Sequence, residues 1–189
     1  MRLSPLASRS STVKSQDLPR PRSRAPIAAH IDWLNDQIET VMDEVRHLIA
    51  ADPDLSKNLV LVRSITGFGE VSATILLAEL PNIADFTPKA LAAFVGLSPG
   101  EHSSGTSVRR PGKISRIGTE RLRSTLYMCA LSAKRNNKPL AAFVARMSAA
   151  GKPPKVILIA VARKLLVYAH AVIRTQKAFD SSPNAPLPA

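Results

Sequence analysis

A chain of 189 residues, 45% of them hydrophobic, can bury one well-packed domain with appendages and is too short for two large domains. Its one cysteine, Cys129, excludes an intrachain disulfide and a multi-cysteine zinc site, and favours a reducing cytoplasm. The net charge of +12 indicates a polyanionic partner, whereas an aromatic content of 4% argues against the anchored helix of a membrane-surface protein.

The two ends of the chain are predicted to be disordered. Residues 1–25 form a basic lead rich in Ser, Arg and Pro, and residues 179–189 form a Pro-rich tail. Neither has a periodic apolar pattern, so neither can bury enough apolar surface to offset the entropy of ordering. The lead also has no apolar run of the length that a signal peptide needs, and we predict no export.

A long heptad-patterned helix is predicted over residues 26–52. Pro26 suits the first helical turn, and the apolar residues after it are spaced by alternating steps of four and three. The members of this heptad seam are Ile27, Ile31, Leu34, Ile38, Val41, Val45 and Leu48. Two interpretations remain open: an amphipathic helix packed on its own domain, or a short coiled coil that joins subunits or domains.

A glycine-hinged turn is predicted further along the chain. A short helix over 55–62 precedes the run Ile65-Thr66-Gly67-Phe68-Gly69-Glu70, and a second helix over 71–80 follows it. This pattern resembles a helix-hairpin-helix. In that interpretation the backbone amides at Gly67 and Gly69 point at a phosphate, at the positive end of the second helix. In the alternative, the glycines only allow the helices to pack closely.

The turn belongs to a module over 55–178 that is predicted to be helical throughout. Thr87 caps a helix that ends at Gly96, and a loop over 97–118 follows it, with a short hairpin around Val108–Ile114. Three further helices are predicted over 119–133, 139–149 and 154–176. The predicted fold class is therefore all-α.

Two features of these helices belong in the predicted core. Cys129 lies on the apolar face of its helix, and no basic neighbour at helical spacing favours a reactive thiolate. Val156–Ile173 is the most apolar segment, but it falls short of a full membrane span, and Arg163 and Lys164 interrupt it. We predict a buried helix here and no membrane partner.

The long loop combines small residues and hydroxyl groups with a cationic run. Between Thr106 and Arg135 there are eight Lys or Arg residues and one acid. The predicted phosphate-binding cations are Arg109, Arg110, Lys113, Arg116, Arg121 and Arg123. From the residues alone, Ser103 and Ser104 are either nucleophiles toward phosphorus or turn residues that bond their own backbone, and His102 is either a base or simply solvated.

The acids of the chain do not indicate a metal site. Seven of them fall within residues 27–54, where most belong to the predicted solvent-facing side of the first helix. A two-metal nuclease site needs several acids brought together to hold ions about 4 Å apart. We therefore predict no metal and no cofactor bound by this chain alone.

Four motifs between Leu61 and Val172 give about three-fifths of the chain a resemblance to a known family. They are Ile65-Thr66-Gly67-Phe68-Gly69, Phe94-Val95-Gly96-Leu97-Ser98-Pro99, His102-Ser103-Ser104-Gly105, and Ile114-Ser115-Arg116-Ile117-Gly118 with Leu122, Arg123 and Leu126. Their order and spacing resemble the C-terminal module of the insertion-sequence transposases related to the Piv DNA invertase.

The resemblance implies a division of labour. In that family a coiled-coil segment joins the helical module to an N-terminal RuvC-like domain, whose four acids bind metal. The heptad helix stands where the connector would be, and a divalent metal such as Mg²⁺ would belong to the RuvC-like domain, which this sequence lacks. The family module carries a serine that attacks DNA covalently; Ser104 matches it best, and Ser103 is the second choice.

The resemblance also implies partners and a function. DNA is the first partner, and many members also use a structured guide RNA and work as dimers or tetramers. We predict a DNA-binding transposase of an insertion sequence, truncated, in the bacterial cytoplasm at the nucleoid. The alternative is a non-catalytic nucleic-acid-binding protein or regulator that pairs with full-length transposase through residues 27–48. A structural helical protein with an incidental positive face is the third interpretation.

Overall fold

The structure is a computed structural model that describes residues 24–98, 103–104, 108–109, 118–180 and 182. The described residues form seven α-helices, one 3-10 turn over Ile83–Asp85 and a two-stranded ladder. The helices are α1 Arg24–Ala50, α2 Pro53–Arg63, α3 Glu70–Glu79, α4 Pro88–Phe94, α5 Glu120–Asn136, α6 Lys138–Ala149 and α7 Pro154–Thr175. The predicted all-α fold class is confirmed. The predicted disorder of the lead, up to residue 23, lies outside the described residues.

The chain divides into two compact units, Met1–Leu48 and Ile49–Ala189. The described residues of the first unit belong to α1, which begins two residues before the predicted start at Pro26. Most of the heptad seam is exposed, with 58% exposure at Ile38 and 71% at Leu48. The long helix is therefore present, and its apolar seam faces solvent over most of its length.

The second unit is built around α7. Twelve residues of this helix are buried, and α7 packs against α2, α4, α5, α6 and the 3-10 turn. The largest fully buried side chains on it are Leu165, Leu166, Tyr168 and His170. Burying an aliphatic or aromatic side chain contributes about 1.5–3 kcal/mol, so this one helix supplies a large part of the stability of the unit.

The same helix is apolar enough to raise the question of a membrane. Among the described residues α7 alone has the length and composition of a span, with a mean hydropathy of 2.0 over its most apolar window. Within that window 67% of the helix is buried against the rest of the chain. The helix is therefore packed as a core helix, as its sequence predicted.

Side-chain caps fix where three helices begin. Asp52 accepts hydrogen bonds from the amides of Asp54 and Leu55, both at 3.0 Å, at the start of α2. Thr87 Oγ1 accepts from the amide of Ala90 at 3.2 Å, so the predicted cap of α4 is confirmed. Both α2 and α4 also begin with a proline, whose missing N–H needs no partner in the first turn.

Asn137 is the third cap, and it also ties two distant parts of the unit together. Its side chain is buried and accepts a hydrogen bond from the amide of Leu140 at 3.3 Å, at the start of α6. Its Nδ2 atom donates to the carbonyl of Thr66 at 3.0 Å, in the turn between α2 and α3. The junction of α5 and α6 therefore holds the predicted hairpin turn in place.

The hairpin in the long loop lies earlier than predicted. Ser103–Ser104 (β1) pairs antiparallel with Val108–Arg109 (β2), with Ser103 opposite Arg109 and Ser104 opposite Val108. The sequence predicts a short hairpin around Val108–Ile114. Val108 instead belongs to the second strand, and Ile114 lies outside the described residues.

The chain stays bound to the module after α7 ends. Gln176 ends the helix at φ +53°, and its Nε2 atom donates to Asn58 Oδ1 on α2 at 3.0 Å. The amide of Phe179 donates to Ser64 Oγ at 2.8 Å, and its ring lies 5.0 Å from that of Tyr168. Phe179, where the disordered tail was predicted to begin, therefore packs on the module. The residues after it lie outside the described ones, apart from Asp180 and Ser182.

We expect Asn137→Ala to lower the free energy of unfolding by about 1–3 kcal/mol, because it removes a cap and the donor to the Thr66 carbonyl. Asn136→Ala is the matched control: its side chain is exposed and bonds only to Ser132 of its own helix. The control should shift stability by less than about 0.5 kcal/mol in urea unfolding. Equal effects of the two changes would contradict a tie between the two elements.

Candidate nucleic-acid interface

The predicted hairpin turn joins α2 to α3, and its first glycine is a packing residue. Gly67 has φ +124°, a conformation that side chains disfavour. A Cβ atom added there would lie 2.8 Å from Ala133 Cβ and 3.1 Å from the Cys129 carbonyl oxygen, both on α5. The close-packing interpretation of the sequence therefore accounts for Gly67.

The second glycine lies open to solvent at the start of α3. Nothing stands within 4 Å of a Cβ added to Gly69, whose amide donates to Ser72 Oγ at 2.9 Å. That hydrogen bond occupies one of the two amides that the helix-hairpin-helix interpretation assigns to phosphate. Glu70 also places a carboxylate in the first turn of α3, where it would repel an anion. Phosphate binding at this turn therefore stays a prediction.

The turn opens on a cleft between α3 and α5. The cleft has a volume of about 480 Å³. It is lined by Gly67, Gly69, Glu70, Val71, Ser72, Ile75, Ser124, Thr125, Met128 and Cys129. The hydroxyl groups of Ser72, Ser124 and Thr125 therefore line a cleft whose surface is otherwise largely apolar. Arg121 lies one helical turn before Thr125 on α5.

Cys129 forms part of the floor of this cleft. Its side chain is only 4% exposed, and burial raises the pKa of the thiol, an effect that a hydrogen bond with Ser72 partly offsets. A thiol held neutral is a poor nucleophile. The prediction that Cys129 is a core residue is confirmed.

The two ends of the long loop, at Val95 and Gly118, lie in contact with each other and form the loop neck. Val95 and Leu97 are buried at the start of the loop, and Gly118 stands at its end. A Cβ atom on Gly118 would lie 2.8 Å from Val95 Cα and would also collide with the carbonyl oxygen of Phe94. The two ends of the loop are therefore pinned against each other, backbone to backbone.

Arg123 strengthens this neck. Its guanidinium group donates a hydrogen bond to the carbonyl of Gly118, and its side chain is half-buried. A guanidinium that is already paired with a backbone carbonyl has fewer donors left for a phosphate. Arg123, predicted as a phosphate ligand, is placed as a clamp on the returning chain.

Arg121 is placed differently. Its side chain is 69% exposed, and its closest described carboxylate is Glu79, 4.0 Å away. An exposed ion pair at this distance contributes little to stability and leaves the cation available to another anion.

The other predicted site residues lie in the loop. The ladder aligns Ser103 with the cation Arg109 and Ser104 with Val108. Arg110, Lys113, Arg116 and the candidate base His102 lie outside the described residues. The structure thus brings the two glycines together with α5 in one cleft, and aligns one serine with one arginine in the ladder.

The described residues do not offer a ligand set for a divalent metal. Among them, no group of three or more His, Cys, Asp or Glu side chains stands close enough to hold an ion. Mg²⁺ and similar ions prefer several carboxylate or carbonyl oxygens.

Sequence reasoning missed the residues that position the site. Asn137 reads as an ordinary helix cap, and nothing in the sequence indicates its bond to Thr66. In the sequence, Gly118 is only the last residue of a motif, although its contact with Val95 brings the two ends of the loop together. Both roles depend on partners more than twenty residues away, which local patterns do not encode.

Comparison with known proteins gives the class of protein that carries these elements. Residues 60–145 match the sequence model of the transposase IS116/IS110/IS902 family. The match begins in α2, includes the glycine turn, the long loop and α5, and ends in α6. The chain belongs to this family of transposases.

Two relatives connect it with a particular branch of the family. The pilin gene-inverting proteins of Moraxella bovis and Moraxella lacunata are each 35% identical to this chain over 148 residues. The matched region covers 77% of this chain and 46% of each relative, so the chain spans less than half the length of the relatives it matches.

We expect Arg123→Gln to lower the free energy of unfolding by about 1–2 kcal/mol, because the Gly118 carbonyl loses a charged donor. Arg121→Gln removes the same charge two residues away and should change the free energy of unfolding by less than about 0.5 kcal/mol. Urea unfolding of both variants measures the difference. A loss of stability in Arg121→Gln as large as in Arg123→Gln would contradict the clamp.

Proposed function

We propose that this chain is the helical, DNA-binding part of an insertion-sequence transposase, acting in the bacterial cytoplasm at the nucleoid. The observation that carries the proposal is the family match over residues 60–145, which includes the pinned loop and the glycine turn. The names of its relatives support DNA as the partner, since inverting a pilin gene is a rearrangement of DNA.

In this proposal Ser104 is the nucleophile. Its oxygen forms a bond to a DNA phosphorus while the bond from that phosphorus to one deoxyribose oxygen breaks. The serine proton passes to a base, and the leaving oxygen takes up a proton. The metal-binding acids come from a RuvC-like domain, supplied by another part of the protein or another chain.

The geometry of the loop supports this assignment. Gly118 and Arg123 hold the two ends of the loop together, which lowers the entropic cost of bringing residues of the loop to one place on DNA. The ladder places Arg109 opposite Ser103, the residue before Ser104, and in this proposal Arg109 stabilises the negative charge that develops on the phosphate. Arg110, Lys113 and Arg116 follow in the sequence as further phosphate partners.

Ser104→Ala should abolish recombination while leaving DNA binding unchanged, because it removes the attacking oxygen and no cation. The assay combines this chain with an acid-bearing RuvC-like domain supplied in trans and measures the joining of DNA strands. Ser103→Ala is the matched control and should keep most of the activity. Loss of activity in Ser103→Ala alone would identify Ser103 as the nucleophile. Full activity in both variants would overturn the covalent role of either serine.

A second candidate function is regulation, in which the chain pairs with a second copy or with full-length transposase. The observation in its favour is the heptad seam of α1, where Ile31, Leu34 and Val41 are 51%, 42% and 57% exposed. Exposed apolar residues at heptad spacing are typical of a helix that needs a partner helix. A structured guide RNA belongs to the same proposal as an additional partner of the assembled protein.

Val41→Asp should convert a self-associating chain into a monomer, because it places a charge in the seam between two helices. Thr40→Asp adds the same charge one position away, where the Thr40 hydroxyl bonds only to Asp36 of its own helix. Sedimentation velocity at micromolar concentration distinguishes the two variants. A wild-type chain that is monomeric, alone and with full-length transposase, would contradict pairing through α1.

A further inference from the structure

The last three helices carry a long stretch of one charge. Residues 121–178 contain twelve Lys or Arg residues and no Asp or Glu. The cations are Arg121, Arg123, Lys134, Arg135, Lys138, Arg146, Lys152, Lys155, Arg163, Lys164, Arg174 and Lys177. Eight of them follow Arg135 and lie on α6, on α7 or in the segments beside them, away from the long loop in sequence.

Two of these cations converge on one aromatic ring. On α6, the guanidinium carbon of Arg146 lies 5.6 Å from the centre of the Phe143 ring. On α7, Lys164 Nζ lies 4.9 Å from the same ring centre. Both distances fall within the range in which a cation is attracted to an aromatic face. Phe143 is half-buried, and both charged groups therefore lie beside its ring at the contact between α6 and α7.

Two positive charges held at one ring repel each other unless an anion joins them. Burial lowers the pKa of Lys164, and the neighbouring charge of Arg146 lowers it further. None of the ion pairs formed by the described residues involves Arg146 or Lys164. Among the residues that the structure describes, the site therefore holds two cationic side chains and no carboxylate paired with either of them.

The surroundings of the pair extend the same charge. Lys152 and Lys155 are exposed in and beside the turn that joins α6 to α7. The first turn of α7 contains no acid, although carboxylates are the residues that favour such a position. Arg163 and Arg174 are eleven residues apart on α7, so they lie on one side of the helix.

We propose that the α6–α7 face, centred on Arg146 and Lys164 around Phe143, is a second binding surface for the phosphate backbone of a nucleic-acid duplex. The inference rests on the proposed function for the nature of the anion. It adds a surface on helices outside the loop and the glycine turn. Backbone contacts of this kind position a duplex without reading its sequence.

The test compares two variants that each lose two positive charges. Arg146→Gln/Lys164→Gln removes the pair on Phe143, and Lys57→Gln/Lys89→Gln removes two exposed lysines of α2 and α4. The affinity of each purified chain is measured against salt concentration, with a DNA duplex and an RNA duplex of the same sequence. Each lost phosphate contact lowers the magnitude of the slope of log affinity against log salt by about 0.9.

We expect the Arg146/Lys164 variant to lower that magnitude by about 1.8 and the control pair to leave it unchanged. A loss with DNA only, or with RNA only, supports the proposal and identifies the duplex. Lys152→Gln/Lys155→Gln should give a smaller loss in the same direction and leaves the ring contacts intact, so it covers the case in which the first variant misfolds.

Equal slopes for the Arg146/Lys164 variant and the control pair would overturn this surface and leave the proposed function standing. A wild-type chain without salt-dependent duplex binding would overturn both. Vesicles that contain anionic lipid serve as the third ligand. If they bind through Arg146 and Lys164 and the duplexes do not, the face belongs to a lipid surface and the proposal is wrong.

Discussion

The burial of α7 is the constraint on which the rest of the second unit depends. Four other helices and the 3-10 turn pack against it. The apolar side chains of α7 are shielded from water only when all five of these elements are in place. The chain beyond α7 returns to α2 through Gln176 and Phe179, so both ends of the module are tied to the same core. A helix of this apolarity is stable as a core element because its neighbours cover it.

Close backbone approaches decide where the candidate interface can form. Gly67 lets the α2–α3 turn rest on α5, and Gly118 lets the end of the long loop rest on the end of α4. Asn137 and Arg123 then bond the carbonyls of Thr66 and Gly118. Carbonyl groups that are partly shielded from water need such partners. The hydrogen bonds from Asn137 and Arg123 therefore satisfy these two carbonyls and also hold the turn and the loop neck in position.

The charged side chains also divide into those that pair within the fold and those that face solvent. Glu39 and Asp43 of α1 pair with Arg46 on the same helix, whereas residues 121–178 contain no acid at all. Arg123 is used inside the module and Arg121 lies open beside the cleft. The overall charge therefore indicates an anionic partner, but the structure separates the cations that hold the fold from those that face outward.

The sequence by itself determined the helices, the cap at Thr87, the core position of Cys129, the burial of α7 and the family, because periodicity, capping and motif order are local properties of the chain. The tertiary structure alone decided that Gly67 packs on α5, that Gly118 closes the loop, that Arg123 clamps it and that Ser103 is aligned with Arg109. It also decided that Arg146 and Lys164 meet at Phe143. These relations join residues far apart in sequence, and they exist only after the helices have packed around α7 and fixed the distances between them.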